Sequence, residues 1–336
     1  MYLFISRFND DIPSARSRVY LINEYINKKF QVKTTKLIFW DKKFIGLNPI
    51  NFLYFFYKKI YFLFYLIQHA KKYKLIIFHC YFPNFFEKKI LKFYNLPIIL
   101  DIVDDYYALK KKKLNNLSCA ITNNENLMKI LKDKNIITYK INDPFLKQKK
   151  IKPKKKVKII GWTGSKTTFT YLKILLPEIF KIMNKNKNLL FYIIGAKQKI
   201  FIPKNLKTRI FFYKFNKNYE KLSKIDVGFN YINSDEQSLS KNPYKTFEYF
   251  KYGIVQIAVK RGELVSNIKD GHNGYLFEKK EKIASIFEKL ISTKNNFQKM
   301  SDNCINDFNR ICAIEVLGED FYRIFKKYEN KKTNLQ

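Results

Sequence analysis

The chain has 336 residues, 46% of them hydrophobic, and a formal net charge of +37. That length and apolar content exclude a disordered chain and exceed one ordinary core, so two α/β domains are expected. The charge first suggests nucleic acid or an anionic membrane, but only seven of the 65 basic residues are arginine, the side chain that grips phosphate and reads bases. Lys, Asn, Ile, Phe and Tyr are abundant throughout, which reads as a coding bias toward AT-rich codons. Affinity for an acidic surface is the remaining reading, and no specific nucleic-acid partner is expected. The four cysteines, at 80, 119, 304 and 312, form no CxxC pair, and the three histidines lie at 69, 79 and 272. No zinc constellation is available, and free thiols in a reducing cytoplasm are the simplest reading. The N-terminal MYLFISRFNDD has no basic segment followed by a long apolar one, so it reads as a strand rather than a signal peptide.

Strand and helix patterns alternate along the chain, the pattern of a parallel α/β sheet. A strand over 2–7 and a turn at Asn9–Pro13 precede a helix over 17–30, with Val19, Ile22 and Ile26 at helical spacing. Strands follow at 31–39, 74–80, 97–103 and 119–124, then a helix at 125–133 and a strand at 137–143. Residues 50–67 are apolar for nearly the length of a bilayer, but Lys58 and Lys59 sit in the middle. A helix lying on a membrane surface and a helix buried against the sheet are both open readings, with a true transmembrane span as the third. The lysine-rich 147–158 around Pro153 reads as a solvated interdomain linker, with contact to an anionic surface as the alternative.

The alternation then restarts, with strands at 157–162, 189–195, 209–215, 226–232, 255–259 and 275–278. Helices fit 168–184, 243–252, 262–268, 280–292 and 315–329. Two such halves in tandem suggest two Rossmann-like domains facing a cleft. The expected boundaries are 1–148 for the first Rossmann-like domain, 149–156 for the linker, 157–305 for the second and 306–336 for a C-terminal helix and tail.

Three segments carry chemistry. In IIGWTGSKTT (159–168) a strand ends near Gly161, and Thr163, Gly164, Ser165 and Lys166 lead into a helix. Small residues admit a ligand close to the backbone, and helix-start N–H groups attract an anion. Neither GxxxxGK[ST] nor GxGxxG is present, which counts against ATPase and dinucleotide readings. In KNPYKTFEYFKYG (241–253) Pro243 opens a helix that places Lys245 and Glu248 on one face, with Gly253 as its stop. A lysine for phosphate and a carboxylate for ribose hydroxyls suit a nucleotide; a surface ion pair is the plain alternative. KDGHNGYLF (269–277) marks a tight turn before a strand, with His272 as an exposed turn residue.

In this order and spacing the three segments resemble the C-terminal domain of family 4 (GT-B fold, group 1 type) glycosyltransferases. IGWTGSKTTFTYL resembles that domain's opening strand and phosphate loop, and FYIIGA, with Gly195, its second strand. The stretch 225–258 resembles its donor-binding segment. IPSARSRVYLI (12–22), ILDIVDDYY (99–107) and AITNNENLMKIL (120–131) resemble parts of the N-terminal domain more loosely. The resemblance implies a retaining, metal-independent hexosyltransferase-like enzyme that moves a sugar from a UDP-, GDP- or ADP-sugar to a hydroxyl. No cofactor is implied beyond that substrate.

Glu248 would bind the donor ribose and Lys245 would lie near the diphosphate. Lys241 would assist, and Gly161, Thr163, Gly164, Ser165, Lys166, Gly195 and Asn242 would complete the donor site. Arg16 and Arg18 are candidate contacts to an anionic acceptor, with a solvated place on the first helix as the alternative. The Asp101–Asp105 run reads as a structural strand end rather than a metal site. The last helix is expected to cross back to the first domain. The sequence departs from the family where Ser240 stands in the usual place of a first Glu, and Trp162 and Lys166 stand near the places of a diphosphate-holding pair. A glycan or lipid-linked acceptor in surface polysaccharide synthesis is expected. The location would be cytoplasmic, with peripheral attachment to the inner face of the membrane as an extension. Two alternatives remain: a catalytically weak protein that binds a sugar nucleotide or scaffolds enzymes, and a basic nucleic-acid-associated protein, which lacks the expected arginine clusters.

Overall fold

The computed structural model of the protein describes residues 1–40, 49–148, 151–195, 199–214, 220–292 and 294–329. They divide into two compact units: Met1–Leu146 with Ser240–Asn242 and Cys312–Gln336, and Lys147–Leu239 with Pro243–Ile311.

The first unit opens with β1 (Tyr2–Phe8) and a helical run made of α1 (Pro13–Ala15), a π-helical stretch (Arg16–Leu21) and α2 (Ile22–Phe30). There follow β2 (Thr34–Trp40), α3 (Pro49–His69), β3 (Leu75–His79), α4 (Phe85–Phe93), β4 (Ile98–Ile102), α5 (Tyr106–Lys111), β5 (Cys119–Thr122), α6 (Glu125–Asp133) and β6 (Thr138–Lys140). The strands form a parallel sheet in the order β2-β1-β3-β4-β5-β6. A parallel sheet is covered on both faces. Accordingly β3, β4 and β5 are buried at every residue, which is why they read as mostly apolar runs, with His79, Asp101 and Thr122 as their polar members. Phe62 and Leu66 of α3 join Leu91, Leu109 and Leu127 on one face.

The second unit contains β7 (Ile159–Gly164), α7 (Phe169–Lys185), β8 (Leu190–Gly195), β9 (Ile210–Tyr213), β10 (Val227–Asn230), α8 (Glu236–Leu239) and α9 (Tyr244–Lys251). It continues through β11 (Val255–Val259), α10 (Glu263–Asn267), β12 (Gly274–Phe277), α11 (Ile283–Ser292) and α12 (Lys294–Ile311). Its sheet runs β12-β11-β10-β7-β8-β9, again parallel, with the unit's first strand at the centre. This is the Rossmann strand order. The carboxylate of Asp226, just before β10, accepts the backbone N–H groups of Lys158 (2.8 Å) and Ile159 (2.9 Å) and so fixes the start of β7.

The last helix, α13 (Ile314–Tyr328), belongs to the first unit, as expected. Its Leu317, Phe321 and Phe325 share a core with Tyr2, Phe4, Val19 and Ile26.

Several boundaries differ from expectation. The lysine-rich segment is not a free linker over its described part. Lys154 donates its backbone N–H to Ser301 Oγ (2.7 Å) and its ammonium to the Ser223 carbonyl, and Ile151 packs on the second unit's core. Residues 149 and 150 of that stretch, Phe215 of the strand expected at 209–215, Ala196 and the tail from 330 lie outside the described residues. The second unit extends to Ile311, and 240–242 belong with the first. Four helices, α4, α5, α8 and α12, were not anticipated. The polar α12 buries only a narrow stripe that includes Phe297, Met300, Cys304 and Phe308.

Arg18 corrects a sequence expectation. It is wholly buried rather than solvated or turned toward an acceptor. Its guanidinium donates to Asp101 (2.6 Å), to Asp143 (3.2 Å) and to the carbonyls of Ile141 (2.8 Å) and Asn142 (3.2 Å), so each of its three nitrogens is engaged. Arg16 instead holds the loop after β1, donating to the carbonyls of Asp10 (2.9 Å) and Asp11 (3.4 Å). His79 Nδ1 lies 2.7 Å from the Asp101 carboxylate. Burial opposes the charged imidazole, but its Cys80 and Asp101 neighbours win and raise its pKa to about 10.

Two stability predictions follow from this network. Arg18→Met leaves the buried Asp143 without its cation and Asp101 with His79 alone, and costs about 3–5 kcal/mol, read by urea unfolding. Because the His79 pKa is raised from 6.5 to about 10, its contribution is complete below pH 6.5 and is lost as pH rises through 10. The stability excess over His79→Gln, followed by thermal unfolding, therefore shrinks across that window.

Candidate functional site

In the second unit strand order reverses between β7 and β10, the position at which doubly wound sheets bind ligands beyond their carboxyl ends. Gly164 ends β7, Gly195 ends β8 and Asn230 ends β10. The loop from Ser165 to Thr168 then enters the 17-residue α7. Thr168, the N-cap residue of α7, makes no side-chain capping bond, and the N-terminal end of the helix attracts anions. Ser165 Oγ and Thr167 Oγ1 lie 2.8 Å apart in this exposed loop, and Lys166 is exposed beside them.

The glycines are placed by close approach. A Cβ on Gly164 would fall 2.4 Å from the Trp162 ring and 2.5 Å from Thr168 Oγ1. Gly195 has φ +112°, and a Cβ there would meet the Gly164 carbonyl oxygen at 2.2 Å. Gly161 lies inside β7 rather than at its end, where Ile225 would meet an added Cβ at 2.2 Å. Its small size is therefore required by packing.

Helix α9 supplies the charged groups. Lys245 is half-buried, with its ammonium 4.5 Å from the centre of the Trp162 ring. The Trp162 ring is fully buried, and its Nε1–H has no hydrogen-bond partner among the described residues. Glu248 is buried, and burial pushes the Lys251 ammonium pKa down while the Glu248 charge partly offsets this. The structure thus brings Thr163, Gly164, Trp162 and Lys245 into one cluster.

Lys241 and Asn242 belong with the first unit. Asn242 donates its backbone N–H to Asp104 (2.9 Å) and its amide to Asp143 (2.5 Å), and Asn124 donates to the Lys241 carbonyl (3.3 Å). Asp101, Asp104 and Asp105 take separate protein partners, the last pairing with Arg7 at 3.5 Å. Among the described residues no group of three or more His, Cys, Asp or Glu is arranged to hold a metal ion. The 269–277 turn is tied to α12: Asn273 is buried and donates to Asp307 (2.8 Å), and His272, exposed as expected, lies 3.2 Å from the same carboxylate.

Two contributors were not singled out in the sequence. Tyr249, next to Glu248, is fully buried, and its hydroxyl accepts the Thr163 backbone N–H at 3.1 Å. Asn230 donates to Thr246 Oγ1 at 3.1 Å, which joins the end of β10 to α9. The only local signal for Tyr249 is its place one residue past the predicted ribose carboxylate.

No protein-family model matches the chain, and no curated protein matches it in sequence. Solved structures do match. HepE of Anabaena, in complex with UDP-glucose, is 12% identical, with a TM-score of 0.68 over 97% of this chain and 100% of that one. The lipopolysaccharide outer core galactosyltransferase WaaB is 14% identical, with a TM-score of 0.66 over 97% of this chain and 99% of that one. Sucrose-phosphate synthase of Thermosynechococcus elongatus is 13% identical, with a TM-score of 0.68 over 97% of this chain and 98% of that one. The fold is that of the two-Rossmann-unit GT-B glycosyltransferases, as the sequence resemblance implied.

Tyr249→Phe tests how the loop is held. It leaves the buried Thr163 N–H without an acceptor and lowers stability by about 1–3 kcal/mol, measured by denaturant titration.

Proposed function

We propose that the protein is a nucleotide-sugar-dependent glycosyltransferase. The observation that carries this reading is the cluster at the strand-order reversal: the Gly164–Thr168 loop, the α7 N-terminus and Lys245, on a sheet of Rossmann order. The fold similarity to HepE bound to UDP-glucose supports it. The donor is a UDP-, GDP- or ADP-sugar. Its diphosphate lies at the 164–168 loop, where helix N–H groups, Lys166 and Lys245 meet the charge that grows on the leaving group. Glu248 accepts from the ribose hydroxyls. The acceptor is a hydroxyl of a glycan or glycolipid in surface polysaccharide synthesis, transfer retains the anomeric configuration, and no metal takes part.

A thermal-shift screen of UDP, GDP, ADP and their sugars tests the donor site. One nucleotide class raises the melting temperature, and Glu248→Ala weakens that ligand about tenfold or more, the effect of losing a hydrogen bond to a charged group. A shift untouched by Glu248→Ala would overturn the ribose assignment. A second reading rests on Ser240, which is fully buried with a hydroxyl that has no hydrogen-bond partner where the family carries a carboxylate. On that reading the protein binds the donor without turnover. Release of nucleoside diphosphate across a donor and acceptor panel supports the enzyme; donor binding without release supports the second reading.

A further inference from the structure

Helix α3 is apolar on nearly every side, yet the sheet covers only one of them. Phe62 and Leu66 are buried in the first unit's core. On the other side Leu53, Phe56, Tyr57, Ile60, Phe64 and Ile67 are all exposed, Phe56 by 56% and Phe64 by 60%. Their spacing of three and four residues makes one continuous stripe along the helix. Helix α4 extends it. Tyr94, just after that helix, donates its hydroxyl to the Ile67 carbonyl (3.1 Å), and Phe85, Phe86 and Phe93 are exposed, the last by 79%. A shallow cavity lined by Ile67, Lys89, Ile90 and Phe93 joins the two helices. So large an exposed apolar surface marks an interaction site.

The charges around the stripe are of one sign. Between residues 49 and 94 the only acidic side chain is Glu87. It is completely buried and paired with Lys59 (3.1 Å) and Tyr81 (2.5 Å). Lys71, Lys72, Lys89 and Lys92 are exposed, and Lys58 is half-exposed beside Tyr54. The Lys89 ammonium lies over the exposed Phe85 ring at 4.7 Å, so cation and aromatic surface occupy the same patch. Among the described residues no helix is long and apolar enough to cross a membrane.

We infer that the α3–α4 face of the first unit docks on an anionic lipid bilayer, with the aromatic stripe at the acyl–headgroup boundary and the lysines on the phosphates. A second copy of the chain is a poor occupant, because an isologous contact would set these lysines against their own copies without a carboxylate between them. The inference rests on α3 and α4 alone and stands independently of the sugar-nucleotide reading.

Flotation of the full chain with phosphatidylcholine vesicles, with and without phosphatidylglycerol, tests it. The protein floats with the anionic vesicles and much less with the neutral ones. Phe56→Glu with Phe64→Glu abolishes flotation while the melting temperature stays near that of the wild type. Lys89→Gln with Lys92→Gln, at exposed positions that leave the apolar stripe intact, weakens binding about fivefold for each lysine removed. No binding to anionic vesicles, or equal binding to both kinds, overturns the proposal. So does a concentration-dependent dimer, seen by sedimentation, that the Phe variants abolish.

Discussion

In the first unit the guanidinium of Arg18 is the point on which separate elements converge. The π-helical stretch after β1 carries it, β4 presents Asp101, the segment after β6 presents the Ile141 and Asn142 carbonyls and Asp143, and Phe321 of α13 lies against it at 5.0 Å. A buried ion network contributes little over a well-packed apolar replacement, but it is costly to break by removing one partner. What it supplies here is definition: each donor has one place to point, so the loop after β1 and the ends of β3, β4 and β6 have one arrangement. Asp143 carries the same network onward to Asn123 (3.3 Å) and Asn242.

Legibility of the fold followed how completely each element is covered. β3, β4 and β11 lie inside parallel sheets and are buried at every residue, so their sequences are largely apolar, broken only by His79, Asp101 and Gln256, and they can be placed within a residue or so. β7 ran two residues past the expected end, because Thr163 and Gly164 pair with Ile194 and Gly195 although they look like turn residues. Helix α3 could not be assigned to core or surface because its two sides carry the same chemistry. Helix α12 was invisible as a helix because Asn, Gln, Lys and Asp fill most of its length and only a narrow stripe is buried.

The candidate site was legible in its parts and not in their reasons. The Gly164 loop and the Lys245–Glu248 pair stand out by residue type and spacing. That Gly164 is required by the Trp162 ring, and that Tyr249 holds Thr163, are facts about side chains far apart in sequence. Arg18 shows the same limit more strongly: its carboxylate partners lie 83 and 125 residues away, and nothing local distinguishes it from a solvated arginine. Ser240 was read as a departure from a motif; its complete burial gives that departure a physical setting.

The position of α13 has a consequence for biosynthesis. Domains tend to form in the order in which they leave the ribosome. Here the strands of the first sheet emerge early, while the helix that covers Tyr2, Phe4 and Ile77 emerges only after the whole second unit has been made. The second unit has all but a three-residue excursion of its sequence in one stretch and can close as soon as it is complete. The first unit must wait with an apolar face open. During that interval Tyr2, Phe4 and Ile77 lack the apolar cover that α13 gives them in the finished unit.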